Sequence, residues 1–191
     1  IYAEKQQKIL IQSARVLQQG GADFWLMACN TTHQWAEELK VAIDLPFLHI
    51  AKATADEIKK QGLKRVVLTG TNYTMEQTFY KKALQEEGLE VQIPTKEERK
   101  DLVRIVDEEL THGRILSESL ECFWQMAELW QQQGAEGIVL GCTEIGLLVQ
   151  KPCLGMPIFD TALLHAAKAV ELALGTEDLL KEWDYRQRRE L

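Results

Sequence analysis

The sequence lacks the features that mark several common functional classes. Its 191 residues carry a net charge of -7, so there is no excess of basic side chains for binding nucleic acid or an anionic membrane. No apolar run approaches the roughly 18 to 20 residues of a membrane-spanning helix. No GxGxxG, Walker or GxSxG motif occurs, which leaves dinucleotide, nucleotide and serine-hydrolase functions without support. We expect no nucleic-acid partner and no membrane partner.

Cysteine is also scarce and irregularly spaced. The four cysteines form no CxxC pair, and their spacing does not resemble a disulfide scaffold, so a reducing cytoplasm is the expected location. His33 lies four residues after Cys29, which makes a metal pair conceivable. No further ligands have zinc spacing, and we expect no metal.

The sequence does contain a regular alternation of helical and strand patterns. Residues 65–69 (RVVLT) and 137–140 (GIVL) are continuously apolar runs of strand length, whereas residues 2–19 and 75–87 predict helices. Strands that alternate with helices indicate parallel sheets with helices on their faces, so the predicted fold class is α/β. The polar tail at residues 176–191 predicts a surface helix.

Two segments of the chain resemble each other at an offset of 113 residues. Residues 21–31 (GADFWLMACNT) align without a gap with residues 134–144 (GAEGIVLGCTE), which places Cys29 and Cys142 in register. Coincidence between generic strand ends is the alternative, but the gapless match favours a duplication. We therefore expect two pseudo-symmetric lobes, each a parallel sheet flanked by helices, with the active site between them.

The repeat also suggests where the lobes divide. We expect residues 1–62 and 160–191 to form the first lobe and residues 63–159 to form the second. The first lobe has fewer elements before its cysteine than the second. By the usual size of a βα unit, roughly 45 to 60 residues of the first lobe are therefore expected to precede Ile1.

Cys29 and Cys142 both follow predicted strands, at the end of a parallel sheet where working residues lie. Each is predicted to stand near a helix N-terminus, which would lower the thiol pKa from its usual value of about 8.5. Two opposed thiols can act on the two faces of an α-carbon, as racemisation requires. Ordinary buried cysteines are the alternative. Cys122 and Cys153 lack such a setting.

Polar side chains accompany both cysteines and the strand at residues 65–69. Hydroxyl and N–H groups at helix starts bind carboxylates, but they also cap helices, so both roles stay open. The candidates for holding a small acid are Asn30, Thr31, Thr32, Thr71, Thr74, Thr143 and Glu144. Near other strand ends, Asp160, His165 and His49 could orient a thiol or the substrate, although a lone histidine is more often structural.

Four motifs together resemble the aspartate/glutamate racemase family. They are, in chain order, residues 28–33 (ACNTTH), residues 70–80 (GTNYTMEQTFY), residues 141–144 (GCTE), and residues 159–161 (FDT) with His165. The resemblance implies a two-lobed α/β fold and racemisation of a small-molecule amino acid without pyridoxal phosphate or another cofactor. It also implies a homodimer, and a substrate held by Asn30, Thr31, Thr74, Thr143 and Glu144.

The resemblance has finer implications for specificity. Cys29 occupies a position where one-sided members have threonine, which implies a two-base racemase. Glu144 stands where dedicated glutamate racemases have histidine, which favours aspartate or a broad range of amino acids. Arg114 matches a basic position of the family and could bind a side-chain carboxylate, unless it is a surface residue in a helix–helix turn. We expect Cys142 to take the proton from the L substrate and Cys29 from the D.

The sequence departs from the family in one respect, and it leaves two other functions open. The family's first strand and its glycine-rich, GGMS-like turn have no counterpart in the printed residues, in line with the repeat. One alternative is a related cysteine-dependent enzyme on the same scaffold, namely a hydantoin racemase, a maleate isomerase or an arylmalonate decarboxylase. The other alternative is a non-catalytic protein that binds a small acid.

Overall fold

The computed structural model describes residues 2–152 and 154–175, in which helices and strands alternate as predicted. The strands are β1 Trp25–Leu26, β2 Phe47–Leu48, β3 Arg65–Gly70, β4 Glu90–Gln92, β5 Gly137–Gly141 and β6 Ile158–Asp160. The α-helices are α1 Tyr2–Gln19, α2 Ala36–Ala42, α3 Ile50–Lys60, α4 Asn72–Glu76, α5 Thr78–Glu86, α6 Lys96–Arg104, α7 Ser117–Gln132, α8 Ile145–Leu148 and α9 Thr161–Ala173. Short 3-10 turns span Thr31–Trp35 and Leu110–His112, and a π-helical turn spans Ile105–Glu109.

The described strands form two parallel sheets. Strands β1 and β2 pair with each other, and the remaining four are ordered β4-β3-β5-β6. Strand β5 pairs with β3 from Val66 opposite Gly137 to Gly70 opposite Gly141, and it pairs with β6 on its other edge. The central strand β5 is buried along its whole length because helices cover both faces of the sheet. The predicted α/β class is confirmed.

Each sheet has its own apolar core. Strands β1 and β2 pack with α1 and α2 around Trp25, Trp35 and Leu39. Helix α3 follows β2 but turns its apolar face to the four-stranded sheet, through Ile50, Ala51, Ala55 and Ile58. The predicted lobe limits, which assign residues 1–62 to the first lobe, stay a prediction, and α3 is the element by which that segment contacts the second sheet.

One predicted helix differs from the structure. The pattern at residues 75–87 predicts a single helix, but α4 ends at Glu76 and α5 begins at Thr78, because Gln77 has an extended backbone (φ -70°, ψ 159°). Helix α4 begins earlier than predicted because the Thr71 side chain accepts a hydrogen bond from the amide of Thr74 and caps the helix. This early start brings Thr74 inside a helical turn.

Within residues 2–152 and 154–175, no helix combines the length and apolarity needed to cross a membrane. The predicted surface helix at residues 176–191 and Cys153 lie outside the described residues.

Candidate active site

The two cysteines singled out by the repeat lie at the ends of two parallel strands, one in each sheet. Cys142 directly follows β5 and is 6% exposed, whereas Cys29 lies shortly after β1 and is exposed. The thiols are close enough for charge on Cys29 to contribute to the pKa of Cys142, after the larger effects of burial and of Glu144. The fold therefore brings the predicted pair into one region.

The Cys142 thiol is hydrogen-bonded to a carboxylate two residues ahead. Its Sγ donates to Glu144 Oε2 over 2.9 Å, and Thr143 Oγ1 donates to the same oxygen over 2.8 Å. Burial, followed by this hydrogen bond, raises the pKa of Cys142 to about 12. The expectation of a lowered thiol pKa is wrong for Cys142, because α8 is a single turn and its backbone groups do not offset burial and the adjacent carboxylate.

Glu144 is the acceptor in this arrangement. Its burial alone would raise the pKa of the carboxyl group, but the hydrogen bonds from Cys142 and Thr143 stabilise the ionised form and the net pKa is lowered. The residue is therefore a carboxylate at neutral pH, and Cys142 is its hydrogen-bonded thiol. Glu144 thus contacts both the Cys142 thiol and the Thr143 hydroxyl.

Three threonine hydroxyls meet between the two sheets. Thr31 Oγ1 lies 3.2 Å from Thr71 Oγ1 and 3.5 Å from Thr74 Oγ1, and the last two hydroxyls are 3.2 Å apart. Thr31 begins the turn after Cys29, whereas Thr71 and Thr74 follow β3. Each hydroxyl can donate and accept, so the cluster can turn hydrogens toward an anion while its members remain in contact.

Asn30 is buried, with one side-chain atom left unpaired. Its Nδ2 donates to Thr161 Oγ1 over 2.9 Å, and the Thr161 hydroxyl donates to the Leu140 carbonyl over 2.8 Å. The Thr161 hydroxyl has one hydrogen, which it donates to Leu140, so it must accept the hydrogen bond from Asn30. This determines which atom of the Asn30 amide is the nitrogen. Asn30 Oδ1 is buried and has no hydrogen-bond partner among the described residues.

Both ring nitrogens of His33 are hydrogen-bonded to backbone atoms, one of them in Cys29. Nδ1 is 2.9 Å from the carbonyl oxygen of Cys29, and Nε2 accepts from the amide of Ile50 over 3.2 Å. Burial lowers the pKa of His33 to about 3, so the ring is neutral. With both nitrogens bonded to the backbone, His33 has no lone pair free for a metal.

The predicted orienting residues form other contacts. Asp160 Oδ1 accepts from the amides of Ala162 and Leu163 and thus caps α9. His165 Nε2 lies 3.0 Å from the carbonyl oxygen of Leu48, at the end of β2. Both contacts hold α9 in place, which is the structural alternative for these residues.

The remaining predicted contacts also involve the protein backbone. Thr32 Oγ1 donates to the Cys29 carbonyl over 2.8 Å. Arg114 lies in the turn before α7, is exposed, and donates to the Glu108 carbonyl oxygen. Its charge acts on Glu109, and it is not among the groups that shift the pKa of Cys142 or Glu144. These contacts agree with the surface alternative for Arg114.

Sequence reasoning missed the role of His33 and the contact of Thr161 with Asn30. A side chain four residues after Cys29 on a helical turn can reach back to the Cys29 carbonyl, which is a signal that the spacing contained. The Asn30–Thr161 hydrogen bond joins residues 131 positions apart, and no local pattern could have revealed it.

Known proteins resemble this chain over most of its length. Residues 2–169 match the model of the Asp/Glu/Hydantoin racemase family. The broad specificity amino-acid racemase RacX of Bacillus subtilis (strain 168) is 29% identical over 171 residues, covering 90% of this chain and 74% of RacX. A candidate Asp/Glu racemase from Yersinia pestis, with a crystal structure, is 40% identical with a TM-score of 0.84, covering 90% of this chain and 75% of that one. An aspartate racemase homologue from Pyrococcus horikoshii OT3 is 38% identical with a TM-score of 0.82, covering 89% and 75%.

The two parallel sheets with their flanking helices give the chain a two-lobed α/β fold. The chain belongs to the Asp/Glu/Hydantoin racemase family. Its relatives include amino-acid racemases, so the resemblance drawn from the four sequence motifs and the assignment as a racemase-type enzyme are confirmed.

Proposed function

We propose that this chain racemises an amino acid by a two-base mechanism in which Cys29 and Cys142 act on opposite faces of the α-carbon. The observation that carries the proposal is the thiol pair itself, placed by a repeated strand–cysteine unit and close enough for the charge of one to affect the pKa of the other. Racemisation needs one base and one acid at the same time. The two cysteines supply both from equivalent positions.

The hydrogen bond from Cys142 to Glu144 supports a scheme in which Cys142 begins as the thiol. The scheme requires the base at Cys29 to begin as its thiolate. The Cys29 thiolate takes the α-proton, and the C–H electron pair remains on the substrate as a carbanion. The carbanion then takes the proton of the Cys142 thiol on its opposite face, so the step ends with Cys29 protonated, Cys142 ionised and the substrate inverted.

The enzyme form that this step leaves behind serves the reverse reaction. We retain the assignment in which Cys29 removes the proton from the D substrate and Cys142 from the L. A return to the starting form requires Cys29 to lose a proton and Cys142 to gain one. Glu144 favours that return, because a thiolate at Cys142 would lie against its carboxylate at 2.9 Å.

The polar groups around the thiols suit the head of an amino acid. Asn30 Oδ1 is a buried acceptor that can bind the substrate ammonium. The hydroxyl cluster of Thr31, Thr71 and Thr74 can donate to the α-carboxylate. No step in this scheme calls for a cofactor.

The substrate side chain also needs a binding partner. Aspartate or glutamate would need a cation, for which Arg114 is the sequence candidate, although its guanidinium already binds a carbonyl oxygen. Similarity to a broad specificity amino-acid racemase favours a wider range of side chains. We propose an acidic or broad-specificity substrate range, with a homodimer as the expected assembly.

The test is incubation in D2O with both enantiomers of aspartate, glutamate and a panel of other amino acids. We expect the opposite enantiomer to appear with deuterium at the α-carbon. A protein that binds the same amino acids, detected by thermal stabilisation, but gives neither inversion nor deuterium incorporation would be a binding protein. Turnover of a hydantoin, maleate or an arylmalonate, with amino acids inert, would assign the related chemistry instead.

A further inference from the structure

We propose that His33 is a positioning residue, which holds the backbone of Cys29 at a fixed place relative to the sheet that carries Cys142. The inference rests on the proposed two-base function. It concerns how a thiol on an exposed segment is kept in register with a buried thiol on another sheet.

The hydrogen bonds of His33 determine its tautomer. The amide of Ile50 can only donate, so Nε2, at 3.2 Å from it, must be the unprotonated nitrogen. The hydrogen therefore lies on Nδ1, which donates to the carbonyl oxygen of Cys29 over 2.9 Å. The ring is 2% exposed, and with both nitrogens occupied it cannot exchange a proton with the substrate. Its contribution is geometric.

The two ends of this imidazole belong to different parts of the fold. One end fixes the carbonyl of Cys29, and with it the direction in which the Cys29 side chain leaves the chain. The other end binds Ile50, the first residue of α3, which packs in the core of the four-stranded sheet. Strand β5 of that sheet leads directly to Cys142. His33 thus connects the Cys29 backbone to α3, which packs on the sheet of the second thiol.

Two further histidines support the same junction. The His49 ring lies 4.6 Å from His33 and accepts from the amide of Ala51 through Nδ1. The His165 ring lies 6.1 Å from His33 and bonds to the carbonyl of Leu48. Three rings therefore bind the backbone on either side of the β2–α3 connection, which makes this connection a rigid support for His33.

Two substitutions of His33 can each keep one of its two hydrogen bonds and remove the other. In His33→Asn, the amide nitrogen can replace Nδ1 and keep the bond to Cys29, but the acceptor for Ile50 is lost. In His33→Gln, the side-chain oxygen can replace Nε2 and keep the bond to Ile50, but the donor to Cys29 is lost. The matched control is Thr54→Val, which removes a buried hydrogen bond to the Ile50 carbonyl on the same helix and leaves both hydrogen bonds of His33 in place.

We expect both His33 variants to lose kcat with little change in KM, because a displacement of about 1 Å in a reacting group can cost about 100-fold in rate. Thr54→Val should lower Tm and keep kcat. A specific signature follows from the two-base scheme. The enantiomer deprotonated by Cys142 should still exchange its α-proton for deuterium in the His33 variants, but without inversion, because the acid on the opposite face is out of place.

The outcomes are separable. If wild type gives neither inversion nor exchange with any amino acid of the panel, the two-base function and this inference both fail. If wild type is active and the His33 variants behave like Thr54→Val, or lose exchange and inversion in equal measure, the positioning role alone is overturned. Should the variants not fold, nitrogen chemical shifts of the wild-type histidines decide, since a His33 protonated on Nε2 would contradict the bridge.

Discussion

The segments around Cys29 and Cys142 occupy the same place in the repeat but differ in what they hold fixed. At Cys29 the side chains of His33 and Thr32 hold the backbone, because both contact the Cys29 carbonyl oxygen, while the residue itself is exposed. At Cys142, which is buried, the thiol itself is held by its hydrogen bond to Glu144. The two segments thus place two chemically identical groups, and the neighbours of Cys142 hold it in the protonated, thiol form.

The largest expected effect comes from removing either thiol. Cys29→Ala and Cys142→Ala should each abolish inversion, because a positioned acid or base contributes about 10²- to 10⁴-fold and no second group stands in its place. Each variant should still exchange the α-proton of one enantiomer, with opposite preferences. Deuterium incorporation measured by proton NMR with separate D and L substrates checks this. If both variants exchanged the same enantiomer, Cys29 and Cys142 would not act on opposite faces of the α-carbon.

The residues that precede the two cysteines should also respond differently to substitution. A Cβ at Gly141 would lie 2.5 Å from the Thr69 carbonyl oxygen, where the backbones of β3 and β5 meet. Gly141→Ala should therefore destabilise the fold by about 1 to 3 kcal/mol through overpacking and displace Cys142.

Ala28, its counterpart in the repeat, is exposed, and Ala28→Gly should cost no more than about 1 kcal/mol in backbone entropy. Urea unfolding and initial rates of both variants measure the contrast. Equal losses would show that position 141 is not crowded.

The protonation of Cys142 should depend on Glu144 and not on surface charge. In Glu144→Gln the pKa of Cys142 should fall from about 12 toward its ordinary value, while burial still holds it above that value. The measurement is the pH dependence of alkylation at Cys142, followed by mass spectrometry. Glu128→Gln, on an exposed part of α7, is the charge-matched control and should leave the profile unchanged. Unchanged profiles in both variants would show that Glu144 does not raise the pKa of Cys142.

Mild acid should weaken the Cys29 side of the molecule through its histidines. Burial lowers the pKa of His33 to about 3, and it also lowers those of His49 and His165, with Lys40 and Lys52 adding positive charge nearby. Between pH 6.5 and this value the unfolded state binds more protons. For His33 the stabilisation is therefore complete above about pH 6.5 and is lost as pH falls toward about 3, by about 1.4 kcal/mol per pH unit, and the other two histidines act in the same direction.

Urea unfolding between about pH 7 and pH 5 tests this expectation in a range where carboxyl groups, with ordinary pKa values near 4, change little. His33→Asn has one histidine fewer in the cluster and should show a shallower pH dependence than wild type. A pH-independent free energy of unfolding over this range would mean that these histidines have the same pKa in the folded and the unfolded protein.

Much of the fold follows from local pattern, whereas much of the site does not. Continuous apolar runs predicted β3 and β5, because central strands of parallel sheets are buried on both faces. The break at Gln77 escaped prediction because glutamine is compatible with a helix, and here the fold gives it an extended backbone. The raised pKa of Cys142 escaped for a related reason. Burial of the thiol and its hydrogen bond to Glu144 depend on tertiary structure. Together they raise the pKa of Cys142 by more than the nearby helix start, which the sequence could suggest, lowers it.

The orientation of the Asn30 amide has a consequence for selectivity. Its unpaired oxygen can only accept, so a ligand must offer a hydrogen at that point or leave a buried oxygen unsatisfied, at a cost of about 1 to 3 kcal/mol. An amino acid has such a hydrogen on its ammonium group. A 2-keto acid has the same carbon skeleton but places a carbonyl oxygen there, against the lone pairs of Asn30. If the ammonium binds at this oxygen, one hydrogen-bond chain through Thr161 to the backbone of β5 is enough to favour amino acids over their keto analogues.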